Sequence, residues 1–112
     1  VDNNYGGLAF KEEGERCAAL FSDEKKKVMV MGNHGILVIG SNVAETFNRM
    51  YYFERAAKTY IKALQTGMKL KVLPDNIAEK TASELENYPS DECKHLNELK
   101  KILISERSDF QS

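Results

Sequence analysis

Two apolar tetrapeptides separated by four residues constrain this chain more than anything else in it. Val28-Met29-Val30-Met31 and Ile36-Leu37-Val38-Ile39 flank Gly32-Asn33-His34-Gly35. Runs of that length joined by a short Gly-containing link predict a β-hairpin. Both runs are apolar at every position instead of alternating, which predicts strands buried on both faces. A two-stranded hairpin is marginal in water, and its open edges invite pairing. The remaining sequence offers helices for the faces but, beyond a candidate strand at Leu8-Ala9-Phe10, nothing for the edges. The pattern therefore predicts part of a larger α/β arrangement, completed by another copy or by a companion segment.

The flanking elements follow from spacing and capping signals. Residues 1–7 read as loop, and Lys11–Phe21 as a short helix with Glu12, Glu13 and Glu15 near its positive end. Ser22 to Lys27 reads as a charged, solvated turn. Asn42 predicts a helix N-cap with Glu45 as its capping-box partner. Val43, Phe47, Met50, Ala57, Ile61, Leu64 and Met68 form a stripe at helical steps, ended by Gly67. Pro74 and Asp75 begin another helix, with Ile77, Thr81, Ala82 and Leu85 on one side. Tyr88-Pro89 breaks it. Ser90 is read as the cap of a last helix, with Cys93, Leu96, Leu99 and Leu103 inward.

Composition excludes several classes of function. The 112 residues carry 16 basic and 17 acidic side chains, a net charge of -1. Such a balance gives no global field toward nucleic acid or an anionic membrane. Ile36 to Ile39 is far too short to span a bilayer. The chain begins at Val1 and shows no basic segment followed by an apolar one, so no signal peptide is expected. Cys17 and Cys93 sit in helical patterns and belong to no CxxC pair. They are read as reduced, core or half-buried thiols of a cytoplasmic protein. No phosphate-binding glycine loop and no serine or cysteine nucleophile signature is present.

The string from Val28 to Glu54, VMVMGNHGILVIGSNVAETFNRMYYFE, resembles the C-terminal half of class II aldolase/adducin domains. The matching pieces are the first apolar strand, Asn33-His34-Gly35, the second strand ending in Gly40, and a helix carrying Glu54-Arg55-Ala56-Ala57. Gly6-Gly7-Leu8-Ala9-Phe10 and Glu13-Gly14-Glu15-Arg16 resemble the segment before that strand. The resemblance covers about residues 5–70. It implies an α/β fold, part of a three-layer α/β/α domain, with a central hairpin followed by three helices. Residues 1–73 would be the C-terminal half of the family domain, and 74–112 a helical extension.

The resemblance also implies chemistry. Catalytic relatives use zinc or another divalent metal to stabilise an enediolate in aldol cleavage or epimerisation of a sugar phosphate. The histidine of the Asn-His-Gly turn is one of three imidazole ligands, a role that carries over to His34. The other two belong to a His-x-His motif, and a nearby acidic residue serves catalysis. Neither occurs here, so the isolated chain is expected to be inactive. Adducin-like members are structural proteins, and a non-catalytic assembly module is the alternative reading. Partners implied are a further copy or an N-terminal companion segment, plus a sugar phosphate if the domain is active.

Around His34, the glycines Gly32 and Gly35 allow close approach of backbone and ligand. Asn33 either orients the imidazole or holds the turn through an Asx hydrogen bond. Glu54, on the apolar side of its helix, is read as an ion-pair or capping carboxylate. Arg55, Lys58 and Lys62 lie along one helical face, where a phosphate contact is the alternative and a solvated face the preferred reading. Tyr51, Tyr52 and Phe53 are read as core or subunit interface, and His95 as a surface histidine.

Overall fold

The computed structural model describes residues 1, 11–88 and 92–106. Its elements are α1 (Lys11–Leu20), β1 (Val28–Met31), β2 (Gly35–Val38), α2 (Val43–Gln65), α3 (Asp75–Asn87) and α4 (Glu92–Ser105). The protein is mixed α/β: a two-stranded antiparallel hairpin flanked by helices. The candidate strand at Leu8-Ala9-Phe10 and the cap at Ser90 lie outside the described residues. The chain forms two compact units, Val1–Arg49 and Met50–Ser112. No helix among the described residues is long and apolar enough to cross a membrane.

In the first unit, α1 carries its acidic residues at the positive end. Glu13 pairs with Arg16 one turn on. The charged turn after α1 is organised by Asp23, whose Oδ1 accepts from the Lys25 N–H at 3.0 Å. Its carbonyl accepts from the Lys26 N–H at 2.9 Å. That is the local competition for backbone donors that makes Asp a turn residue. The hairpin pairs Val28 with Val38, Met29 with Leu37, Val30 with Ile36 and Met31 with Gly35. One further bond, Ile39 N–H to the Lys27 carbonyl at 3.0 Å, extends the ladder at its base.

The expectation of two buried faces is not met within these units. Among the described residues only Met29, Val38 and Ala44 form the buried apolar core, at 7%, 9% and 7% exposure, while Leu37 and Ile39 are exposed. The physical reason is supply. Among the described residues only β1 and β2 pack extensively on one another. Apolar composition marks a strand as fit for double burial but does not provide the layers that bury it.

The turn from β2 into α2 is the best-made joint in the structure. Asn42 caps α2 as expected, its Oδ1 accepting from the Glu45 N–H at 2.9 Å. The Glu45 carboxylate reaches one residue further back than a capping box requires. It takes both the backbone N–H and the hydroxyl of Ser41. Arg49, one turn along, pairs with Glu45 at 2.5 Å. Its other guanidinium nitrogen donates to the Ile39 carbonyl at 2.9 Å. One carboxylate and one guanidinium therefore bind the end of β2 to the start of α2. The two Ser41 hydrogen bonds, helped by Arg49 and Lys27, hold the Glu45 carboxyl below its usual range.

Of the apolar stripe of α2, Phe47 and Ala57 are half-buried, while Val43, Met50, Ile61 and Leu64 are exposed; Ala44, off the stripe, is buried. Capping by Asn42 fixes the helix phase, and that phase turns Ala44, rather than Val43, inward.

The second unit ends its helices where the sequence says it should. Gly67 adopts φ 68° and donates to the Leu64 carbonyl at 3.1 Å, a left-handed stop after α2. Tyr88 is extended, φ -70° and ψ 127°, as the following proline requires. Cys17 is half-buried and Cys93 exposed, and neither is in a disulfide. The inward position expected for Cys93 is thus incorrect. His95, Leu96 and Leu99 are the half-buried members of its helix among the described residues, and Leu103, also expected inward, is exposed.

Two measurements test the joint. A Cβ at Gly40 would lie 2.5 Å from Thr46 Oγ1 and 3.0 Å from the Thr46 nitrogen. Thr46 Oγ1 cannot simply swing away, because it donates to the Asn42 carbonyl at 2.9 Å. Gly40→Ala should therefore cost about 1–3 kcal/mol in a urea titration. Gly35→Ala, whose Cβ meets nothing within 4 Å, should change stability by less than about 0.5 kcal/mol. Equal effects at the two glycines would disprove the close approach.

The second measurement is pH dependence. Because the native Glu45 carboxyl titrates below its ordinary value of 4.5, its contribution is complete above that value. It is lost as pH falls through the lowered native value. The thermal midpoint of the wild type should exceed that of Glu45→Gln at neutral pH. The gap should close on acidification below 4.5. A gap independent of pH would show that the carboxylate charge plays no part.

Candidate functional site

His34 stands at the tip of the hairpin, at the end opposite the joint with α2. The loop is Gly32, Asn33 and His34, closed by a bond from the His34 N–H to the Met31 carbonyl at 3.2 Å. That makes Gly32 and Asn33 the central pair of a β-turn. Asn33 has φ 57°. Positive φ at the second central residue is the demand of a type II turn, which Gly or Asn meets at least cost. Asn33 thus serves the turn through its backbone conformation, the turn-holding role expected of it, by a different means than an Asx bond.

Neither Gly32 nor Gly35 has positive φ, and the space around the Gly35 Cα is open. His34 itself is exposed. A short closed turn and two paired strands fix its backbone, and its side chain is presented to solvent at the hairpin tip.

One imidazole is not a metal centre. Stable zinc sites take three or four protein donors. Among the described residues no group of three or more His, Cys, Asp and Glu is placed to hold a metal ion. The donors described in this chain therefore do not by themselves fit a zinc ion, and any metal bound at His34 needs ligands from elsewhere.

The other residues singled out by sequence fall apart from His34 in the chain and in role. Glu54 is exposed and pairs with Lys58 at 3.3 Å, the ion-pair reading. Arg55 is exposed, lies 5.7 Å from the Tyr51 ring centroid and donates to the Tyr51 hydroxyl at 3.2 Å. That hydrogen bond, together with the attraction of the phenolic oxygen, raises the guanidinium pKa. Lys58 and Lys62 are also exposed. Tyr51 and Phe53 are half-buried and Tyr52 exposed, with the Tyr51 and Tyr52 rings edge-to-face at 5.4 Å.

His95 corrects the sequence reading. It is half-buried, its ring edge-to-face with Tyr51 at 4.5 Å. An aromatic pair across two helices has no signature in spacing, so a lone polar ring on α4 could not be recognised as a packing residue. The Glu45–Arg49 clamp was legible in half. Glu45 follows from the capping pattern, whereas Arg49 is an ordinary helix-surface residue until the Ile39 carbonyl comes within its reach.

The turn geometry yields a direct test. Asn33→Gly should be tolerated, because glycine adopts positive φ freely. Asn33→Val should cost about 1–2 kcal/mol, because a β-branched residue resists that region. Equal urea midpoints for the two variants would show that position 33 is not held at positive φ.

Comparison with known proteins agrees with this architecture. Residues 2–61, more than half of the chain, match the family described as "Class II Aldolase and Adducin N-terminal domain". A protein of Caulobacter vibrioides named "Putative aldolase class 2 protein" is 33% identical over 78 residues. That alignment takes in 69% of this chain and 30% of the relative, so the chain spans less than a third of the length of the curated protein it matches. No solved structure gives a significant match. The matched region contains the hairpin, the Asn33-His34-Gly35 turn and most of α2, and the chain belongs to the class II aldolase/adducin family.

Proposed function

We propose that this chain supplies one imidazole ligand, His34, to a divalent-metal site of a class II aldolase-type enzyme. The metal is zinc or a similar ion. The reaction is aldol cleavage or epimerisation of a sugar phosphate. The supporting observation is the placement of His34 within the family match: exposed, at a hairpin tip, on a backbone fixed by a closed turn. Neutral imidazole suits zinc, and a rigid backbone keeps a ligand in place at little entropic cost.

In this reading the remaining donors and the catalytic acid come from an N-terminal companion segment carrying His-x-His. The same segment would cover the hairpin edges and faces, which the described helices leave partly exposed. Residues 1–73 then form the C-terminal part of the family domain and 74–112 an appended helical segment. The assembled protein works in the cytoplasm. The chain alone is inactive, because one imidazole cannot hold the ion.

A second reading is an adducin-like assembly module without catalysis. It is favoured by the lack of a three-donor group among the described residues. The two readings separate at the coding sequence immediately upstream of Val1. A His-x-His there supports the enzyme, and its absence supports the assembly module.

The experiment joins metal content to stability. His34→Ala should shift the stability of the isolated chain by less than about 0.5 kcal/mol, as for other exposed turn residues. In the chain reconstituted with its upstream segment, the same variant should lose bound zinc and aldol cleavage while keeping its thermal midpoint. Zinc retained by His34→Ala would remove His34 from the ligand set. Turnover of sugar phosphates by the isolated chain, above its His34→Ala control, would overturn the proposed division of the site.

A further inference from the structure

Charge is unevenly placed around α2. At about 100° per residue, Tyr51, Arg55, Lys58 and Lys62 fall within an arc of about 60°. They follow one another at helical steps and form one ridge. At about 1.5 Å per residue its three cations span about 10 Å along the axis. All three are exposed. Phe53, Ala57, Tyr60 and Leu64 lie on the opposite side, so the ridge carries no aliphatic side chain.

Carboxylates hardly offset this charge. From Arg55 to Pro74 the chain carries Arg55, Lys58, Lys62, Lys69 and Lys71 and no acidic residue. Among the described residues only Glu54 makes an ion pair with the ridge, reaching Lys58 at 3.3 Å. Both side chains of that pair are mostly exposed, and such pairs are weak. Like charges three and four residues apart on a helix repel. The ridge therefore weakens α2 until an anion lies along it.

Arg55 is the supported member. It donates to the Tyr51 hydroxyl at 3.2 Å, with its Cζ 5.7 Å from the ring centroid. Tyr51 is half-buried and meets the His95 ring at 4.5 Å, so the guanidinium rests on a packed base. A guanidinium already held in place loses little freedom on pairing, and its planar fork matches a carboxylate.

Shape and chemistry select among anions. A small phosphate ester needs a concave site, and a single helix presents a convex one. A lipid surface calls for apolar side chains beside the cations, and here Tyr60 and Leu64 lie on the other side of the helix. Nucleic acid calls for a basic surface well beyond one helix, whereas this chain has 17 acidic against 16 basic side chains. A second helix with carboxylates at three- and four-residue steps repeats the spacing of the ridge and can set one carboxylate beside each cation. We propose that the Arg55–Lys58–Lys62 ridge of α2, anchored by Arg55, docks an acidic helix of a partner protein. The proposal does not rest on His34 or on the metal-site reading.

Fluorescence anisotropy on the full chain tests it with a labelled, alanine-based helical peptide whose Glu residues follow the steps of the ridge. Wild type should bind with Kd below about 1 mM at low ionic strength, and more weakly as salt is added. Arg55→Glu/Lys62→Glu should raise Kd about tenfold or more. Lys26→Glu/Lys80→Glu, at exposed sites and with the same change in net charge, should raise it less than about threefold. Equal losses in the two variants would reduce the effect to net charge and overturn the ridge. So would absence of binding, or equal binding of a peptide of the same composition with its Glu residues spread around the helix. Tighter binding of single-stranded DNA or of phosphatidylserine vesicles would reassign the ridge to another anion and also overturn it. Self-association that depends on the ridge, without uptake of the peptide, would do the same. Should the ridge variant lose helix by circular dichroism, amide shifts of the wild type decide. The peptide must perturb residues 51–62, and shifts confined to other parts of the chain refute the proposal.

Discussion

The short link between β2 and α2 is held by one carboxylate, and the first unit depends on it. Glu45 satisfies the Ser41 N–H and hydroxyl and anchors Arg49, which in turn takes the Ile39 carbonyl. Both partners are mostly shielded, so the pair is less screened than the exposed ion pairs elsewhere in the chain. Gly40 makes room for the arrangement, since any side chain there would strike Thr46. The link also sets the phase of α2. With Asn42 fixed as cap, Ala44 and Phe47 turn inward, while Val43, Met50, Ile61 and Leu64 of the same helix face solvent. A local hydrogen-bonding pattern thereby decides which side of a 23-residue helix remains available for something else.

Much of this was legible in the sequence because it rests on local chemistry. The hairpin, the Asn42 cap, the Gly67 stop and the extended Tyr88 before Pro89 each follow from residues adjacent in the chain. What was not legible depends on encounters between distant residues or on material the pattern cannot supply. Double burial of β1 and β2 was inferred from composition, yet burial needs covering layers, and these helices provide too few. Periodicity placed Val43 on the stripe of α2, but it does not say which members of a stripe are covered. His95 was assigned to the surface because its packing against Tyr51 spans 44 positions of sequence.

The candidate site shows the same division. That His34 lies on a closed turn could be read from Gly32-Asn33-His34-Gly35, including the turn-holding part of Asn33. The means by which Asn33 does so, a left-handed backbone, could not be separated from a side-chain bond until its φ was known. Nor could the sequence decide how much of a coordination sphere the chain carries. Membership of the family does not by itself make His34 a ligand: metal binding is a property of a complete donor set, and fold alone does not confer it.

Exposure of apolar surface is the thread connecting these observations. A small protein buries a modest share of its surface, and here, among the described residues, the buried apolar set is three residues. Scattered exposed apolar side chains need no explanation, but ordered ones do. The open side chains on α2 and α3 are ordered by helical period. On the hairpin the exposure is of another kind, along a sheet whose edges accept any strand of suitable register. A sheet edge selects its partner through backbone hydrogen bonds, and a helix face selects through side chains. Two surfaces with such different selection rules are suited to two different occupants.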